Sequence, residues 1–244
     1  EAVMKNQITT HFVIVCCLAI ITNVKAQGTW VLQDIPGSMS GVSFTRAGSD
    51  CIVYTRANTE YVYFFDVYAK VWARCDLGSL QHIRAADAGK QVVMVYSDSL
   101  LVAYSSITSG FGVIKYKGHI SESVIPTQRG YGCGDKAAYV WTDANMLYVF
   151  DGVQGAWKSF DYGITENASG YQYFWCGDSY VAGIFNRNYP DKFRHVVYSL
   201  VTGTFNMTEN GGVYVDASGE NAMTGGFVSY WGGQRAVHLG TRHG

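Results

Sequence analysis

Apolar runs along this chain stop repeatedly at one small polar residue, turn over five positions and resume at an aromatic. The clearest instance is Leu147-Tyr-Val-Phe-Asp151, then Gly-Val-Gln-Gly-Ala, then Trp157. The same order runs from Tyr63-Phe-Phe-Asp66 to Trp72, from Val102-Ala-Tyr-Ser105 to Phe111, and from Val196-Val-Tyr-Ser199 to Phe205. Glycine stands shortly before the ring in three of these (Gly110, Gly155, Gly203), and Gln27-Gly-Thr-Trp30 is a shortened copy. The five aromatics lie 42, 39, 46 and 48 residues apart, the spacing of a repeat architecture. A two-strand hairpin with one large ring cannot bury its apolar face alone. Units of this length usually close into a ring of four-stranded sheets, which predicts an all-β β-propeller. The alternative is one β-sandwich whose hairpins look alike.

Taken in order, the pattern predicts an outer strand at Trp30–Gln33, a turn at Asp34–Gly37, and strands at Val42–Thr45, Cys51–Thr55, Tyr61–Asp66 and Val71–Cys75. A second copy has His82–Ala85, Gln91–Tyr96, Leu100–Tyr104 and Gly112–Tyr116. A third, after a long connection from His119 to Arg129, has Ala137–Trp141, Met146–Phe150 and Trp157–Phe160. A fourth has Gly170–Trp175, Tyr180–Phe185, Phe193–Tyr198 and Phe205–Met207, and a fifth Gly212–Val215, Gly226–Trp231 and Arg235–Leu239. The fifth lacks the repeat turn and its aromatic, whereas the N-terminal region supplies an outer strand bearing Trp30. Joining them predicts five blades of about 44 residues, with the N-terminal strand closing the last blade and removing exposed sheet edges.

Composition agrees with strands. The chain is 48% apolar and 15% aromatic, with 28 Gly against 3 Pro, which favours tight turns between β-branched and aromatic segments. Formal charge is −1 without any run of Lys or Arg, so a nucleic-acid face, which needs a concentrated basic patch, is not expected. Residues 1–26 read as a signal peptide. Met4-Lys5 opens it, Phe12 to Ile21 is its apolar stretch, and Val24-Lys25-Ala26 offers small residues for cleavage. Ten apolar residues are too few for a stable membrane anchor. The competing reading makes His11–Cys16 and Leu18–Asn23 strands, and the chain then part of a larger ring. Otherwise residues 27–244 form a single propeller domain of a secreted protein.

In an oxidising setting, Cys51, Cys75, Cys133 and Cys176 suggest disulfide bonds, with three possible pairings, the alternative being single buried thiols. Cys133-Gly-Asp135 and Cys176-Gly-Asp178 hold matching places in adjacent copies. Asn167-Ala-Ser and Asn206-Met-Thr are glycosylation sequons.

The apolar-Asp-turn-Gly-Trp phrase resembles the strand-turn-strand signature of kelch-like and related secreted propellers, over most of residues 27–244. Kelch repeats also carry a Gly-Gly pair before the phrase. Here Gly211-Gly212 and Gly225-Gly226 are the adjacent pairs near a blade start, and neither leads into a complete unit. The resemblance therefore implies an architecture and no particular family.

The repeated rings and their Asp or Ser partners suit structural work, the latter capping turns. Ligand chemistry is expected where the copies differ, in the turns between second and third strands. There Arg56, Asp98, Asp143, Asn145, Asn186, Arg187 and Gln234 sit beside strand-end aromatics that include Trp141 and Trp231. Rings stack on sugar C–H faces while amides and carboxylates bond hydroxyls, so an extracellular glycan, or a protein, is the expected partner. Catalysis is not expected: the carboxylates Asp98, Asp143, Asp178 and Asp191 show no pairing by spacing, no Gly-x-Ser-x-Gly elbow is present, and the histidines are scattered. No cofactor motif or zinc ligand pattern is present either. The alternatives are a secreted polysaccharide hydrolase and a scaffold module.

Overall fold

The computed structural model describes residues 43–122, 129–163, 172–188 and 192–210. Its elements are β1 (Ser43–Ala47), β2 (Cys51–Arg56), β3 (Asn58–Asp66), β4 (Val71–Ala88), β5 (Val92–Ser97), β6 (Leu100–Ser105), β7 (Gly110–Lys115), β8 (Tyr131–Cys133), β9 (Ala137–Thr142), β10 (Met146–Asp151), β11 (Ala156–Asp161), β12 (Gln172–Cys176), β13 (Tyr180–Asn188), β14 (Lys192–Ser199) and β15 (Thr204–Asn210). All named pairings are antiparallel. The long β4 serves two meanders. Its first part pairs β3, from Asp66↔Val71 to Asn58↔His82, and its last part pairs β5, from Ile83↔Ser97 to Ala88↔Val93. The described chain is thus all-β, a series of four-stranded antiparallel meanders in a propeller-like arrangement. The signal-peptide stretch, the Trp30 strand and the predicted fifth copy lie outside the described residues. Among the described residues no helix is long and apolar enough to cross a membrane.

Strand alternation builds the stack. On β5, Val93 and Val95 enter a core with Val53, Val62 and Phe64 of the preceding sheet, while Val92, Met94 and Tyr96 enter one with Ala138, Val140, Tyr148 and Phe150 of the following sheet. Neighbouring β6 divides likewise, with Leu100, Val102 and Tyr104 on one side and Leu101 and Ala103 on the other. Both strands are buried along their whole length, so they read as continuous apolar runs. A third core joins Ala137, Tyr139, Leu147 and Val149 to Phe174, Val181, Val196 and Tyr198. Burying a Val or Phe contributes about 1.5–3 kcal/mol, against about 1 kcal/mol net for a typical hydrogen bond. Apolar burial therefore drives the stacking, and polar contacts set its register.

Two kinds of turn repeat in all four sheets. After the first strand, Gly48, Gly89, Gly134 and Gly177 donate to the carbonyls of Cys51, Val92, Ala137 and Tyr180 at 2.8–2.9 Å. Successive sheets meet at this turn. The Asp50 amide donates to Lys90 O at 3.0 Å and that of Gln91 to Asp135 O at 2.8 Å. A Cβ on Gly48 would lie 2.1 Å from Gly89 O, and one on Gly89 1.7 Å from Gly134 O. Only glycine permits that backbone approach.

After the third strand comes the Asp or Ser of the sequence repeat, and its side chain does cap the turn. Asp66 Oδ1 accepts from the Tyr68 and Ala69 amides, and Asp151 Oδ1 from those of Val153 and Gln154. Ser105 and Ser199 accept from Ile107 and Thr202. The second carboxylate oxygen crosses to the next sheet. Asp66 Oδ2 accepts from the Tyr104 hydroxyl at 2.7 Å, Asp151 Oδ2 from that of Tyr198 at 2.8 Å, and the Ser105 hydroxyl donates to Gly152 O at 2.7 Å. Four residues beyond the Asp or Ser the chain is left-handed at Lys70, Ser109, Gly155 and Gly203. The structural counterpart of Gly155 is therefore Ser109 and not Gly110.

The cysteine expectation is overturned: Cys51, Cys75, Cys133 and Cys176 are free thiols. Cys51 and Cys75 are packed as small apolar groups in the first core, and Cys176 Sγ donates to Ala137 O at 3.5 Å. Burial pushes Cys51 and Cys176 up to about 12 and Cys75 to about 11, and lifts Cys133 as well. Raised pKa values disfavour the thiolate, which is the reactive form.

Sequence reading also missed β8 and the continuation of β4 from one sheet into the next. Tyr-Gly-Cys is too short and glycine-bearing to read as a strand, and β4 runs through Asp76–Gln81 although Gly78 is left-handed there, its amide bonds Asp76 Oδ1 and the pairing with β3 shifts register.

The turn geometry makes a direct prediction. Lys70→Gly should raise stability by up to about 1 kcal/mol, and Gly155→Ala should cost about 1–2 kcal/mol, because only the latter forces a side chain into left-handed backbone. A lower urea midpoint for Lys70→Gly, or an unchanged one for Gly155→Ala, would contradict the shared geometry. A second prediction concerns Asp66. Burial alone would raise its pKa, but bonds from the Ala69 amide, Tyr104, Ser109 and the Tyr68 amide hold it below the ordinary range. Ionised Asp66 therefore stabilises the fold above its unfolded pKa of about 3.9, and that contribution is lost as pH falls through the lower folded value. Asp66→Asn should be less stable at neutral pH and show a flatter acid limb than the parent below about pH 4.

Candidate functional site

The face carrying the turns between second and third strands also receives the connections between sheets, so it holds the irregular part of the repeat. Asp98 stands in the β5–β6 turn, exposed, and accepts a bond from Arg84 Nε of β4. Beneath it the Tyr96 hydroxyl donates to Glu122 Oε1 at 3.0 Å, and the Tyr116 hydroxyl to Ser97 O at 2.8 Å. The Tyr96 ring is buried and meets the half-buried Tyr131 ring at 5.0 Å, with the Arg129 guanidinium 5.2 Å from the Tyr131 centroid. These groups form one electrostatic cluster. Burial raises Tyr116, with Asp98 and Glu122 adding to it and Arg84 opposing. Burial also raises Tyr131, against the pull of Arg129. Asp87, on the innermost strand, is raised by burial although it accepts the Cys133 amide at 3.0 Å and feels Arg129 and Arg46.

Asp143 lies in the next sheet's corresponding turn and holds the connection after β7. Its Oδ1 accepts the His119 amide at 2.6 Å and its Oδ2 meets His119 Nδ1 at 3.1 Å. The His119 amide is the first cause that pulls Asp143 below the ordinary carboxylate range. Asn145 completes that turn in the left-handed region, φ 62°. Trp141 is half-buried, stacked on Phe174 at 5.6 Å, and donates from Nε1 to Arg129 O at 3.2 Å. In the first sheet's turn Arg56 ends β2, half-buried, while His82 Nδ1 bonds Asn58 Oδ1 at 2.9 Å beside it. Asn186 and Arg187 fall on β13, continuous with the core of the sheet and before its turn, and their side chains are outside what is described. Trp231 and Gln234 lie outside the described residues, as does Asn167. Asn206 is exposed on β15.

Structure thus joins Asp98 to residues that spacing did not single out: Arg84, Tyr116, Glu122, Arg129 and Tyr131. The connection between β7 and β8 carries Glu122 and Arg129 to the β5–β6 turn, and its length was the one available signal. Asp98 and Asp143 are held by different partners, Arg84 and His119. Among the described residues no group of three or more His, Cys, Asp or Glu could hold a metal ion.

Replacing Asp143 by Ala should accelerate hydrogen exchange at the His119 amide while leaving the Val149 amide protected, since only the connection loses its anchor. Unchanged exchange at His119 would show that the carboxylate does not hold that segment.

No family model matches the chain, and no curated protein matches it. Among solved structures it is similar to apo AztD from Citrobacter koseri, with 11% identity, 70% of this chain and 47% of that chain covered, and a TM-score of 0.42. It is also similar to human WBSCR16, at 13% identity over 72% and 51% with a TM-score of 0.38. Hsv2 from Kluyveromyces lactis gives 9% identity over 68% and 60%, TM-score 0.37. The chain spans about half the length of the first two structures.

Proposed function

We propose that this chain is a secreted binding module that holds an extracellular glycan, without chemistry, on the face of the Asp98 turn. The supporting observation is the Arg84–Asp98–Glu122–Arg129 cluster over the Tyr96 and Tyr131 rings. Asp98 holds Arg84, the Tyr96 hydroxyl holds Glu122 and the Tyr131 ring lies under Arg129, so these polar groups are positioned in advance, which suits the hydroxyls of a sugar. Asp143, Asn145 and Arg56 extend the same polar face, and Asn186, Arg187, Trp231 and Gln234 belong to the proposal from sequence. Trp141 enters it as a support, because its ring and N–H already have partners. A glycan-array screen tests the reading. Asp98→Ala should weaken the parent's binding at least about tenfold with an unchanged melting temperature, and Glu122→Ala should weaken it as much with a lower melting temperature, because the buried Tyr96 hydroxyl loses its acceptor. Full binding by both variants, or a parent that binds no glycan and captures a protein instead, would overturn it.

The proposed domain is residues 27–244 after a signal peptide at 1–26, with five blades closed by the Trp30 strand joining the C-terminal copy. Trp72 supports closure. Its counterpart Trp157 donates from Nε1 to Gly112 O of the preceding sheet at 3.1 Å, whereas Trp72 Nε1 is buried with no partner among the described residues. A preceding sheet would supply the acceptor. If it does, Trp72→Phe and Trp157→Phe should lose similar stability in urea, each including about 1 kcal/mol for the hydrogen bond. A neutral or stabilising Trp72→Phe would count against the ring.

A further inference from the structure

Glu122 and Arg129 are the charged groups that the connection between β7 and β8 brings to the Tyr96 and Tyr131 rings. Each stands next to a stem pinned along the β9–β10 turn. On the entering stem the Lys117 amide donates to the Tyr148 hydroxyl at 3.0 Å, and Ile120 packs against the core that holds Tyr96, Val140 and Tyr148. The Asp143 amide donates to His119 O at 3.0 Å, the His119 amide donates back to Asp143 Oδ1 at 2.6 Å, and Ile120 bridges Thr142. Ser121 and then Glu122 follow. On the returning stem the Trp141 amide donates to Gly130 O at 2.8 Å and its Nε1 to Arg129 O at 3.2 Å. The Gly130 amide donates to Ser121 O at 2.8 Å, which closes the two stems on each other.

The fit leaves little room for a shift. A Cβ on Gly118 would lie 2.6 Å from Asp143 Oδ1, and one on Gly130 2.7 Å from Ser121 N. Trp141 also fastens the returning stem to the following sheet, because its ring stacks on Phe174, itself buried with Val181 and Val196. Of the two bonds between Asp143 and His119, the one from the amide is the firmer hold. The His119 side chain is 93% exposed, and an ion pair between exposed groups contributes little. In the preceding sheet the corresponding carboxylate, Asp98, meets Arg84 of β4 instead. Holding a connection is therefore not something the repeat demands of this position.

We infer, resting on the glycan-binding reading of the Asp98 face, that Trp141 and Asp143 are positioning residues of that site. Asp143 acts through His119 on Glu122, and Trp141 acts through the Arg129 backbone. A side chain carried on a fixed backbone position has little freedom left to lose, so Glu122 and Arg129 meet ligand hydroxyls without a further ordering cost. Released from the turn, Glu122 would leave the Tyr96 hydroxyl and Arg129 the Tyr131 ring. A purely structural role for Trp141 and Asp143 predicts instead a less stable β9–β10 turn with an unaltered Tyr96 hydroxyl.

The test uses the full chain with tyrosine labelled with carbon-13 at Cζ, the Tyr96 and Tyr131 resonances being followed without ligand and glycan binding being measured alongside. Asp143→Ala should move the Tyr96 resonance in the direction that Glu122→Ala moves it. It should weaken binding about fivefold in the parent and less than about twofold further in the Glu122→Ala background, as expected of residues acting as one unit. Asp143→Asn, which keeps an acceptor for the His119 amide, should hold both readouts near the parent values. Trp141→Phe keeps a ring over Phe174 and loses the bond to Arg129 O. It should move the Tyr131 resonance and weaken binding about threefold. An unmoved Tyr96 resonance in Asp143→Ala, an unmoved Tyr131 resonance in Trp141→Phe, or losses that add in the double variant would overturn the positioning role. A parent that binds no glycan while these resonances move as stated would support the positioning role and sink the glycan reading alone.

Discussion

One buried polar contact recurs through the stack and sets how its sheets meet. At the end of β3 and β10 a carboxylate closes its own turn with one oxygen and reaches a tyrosine of the next sheet with the other. Between these two seams, Ser105 carries the connection forward to Gly152. A buried carboxylate that lost its tyrosine would keep the desolvation cost and lose the compensation, so only one offset between neighbouring sheets satisfies every group. Apolar packing tolerates a slide of the sheets far better than this contact does. The alternation of Asp in the first and third copies with Tyr-Ser in the second and fourth follows from it, as donor and acceptor must stand on opposite sides of a seam.

That constraint also divides labour between the two faces. The side with the Gly and Asp/Ser turns is occupied by interlocking backbone and leaves little variable except the tips. The other side receives connections of unequal length, and the residues brought in by them, Glu122 above all, assemble over Tyr96. Chemistry collects there because nothing in the repeat prescribes what those segments contain.

Cysteine placement illustrates how a local match misleads. Cys133 and Cys176 occupy corresponding positions before a Gly-Asp pair, which from sequence looks like a symmetric disulfide. In the fold they are free thiols, one of them bonded to a backbone carbonyl. Correspondence in a repeat says that two residues share an environment. It does not say that they face each other.

The repeat phrase, its turn-capping Asp and Ser, and most strand positions were legible because they depend on neighbours in the chain: alternation chooses strands and a short polar side chain chooses a turn. Glycine spacing at 48, 89, 134 and 177 was equally legible and went unread, since a lone Gly resembles any loop residue until its carbonyl neighbour is known. What sequence could not supply was partnership across sheets. Asp98 stood out as a polar turn residue, yet that Arg84 binds it, that Trp141 rests against Phe174, and that Asp66 and Tyr104 meet over 38 positions are consequences of stacking. Local geometry is written in nearest neighbours, and contact between distant residues exists only after burial has chosen which faces meet.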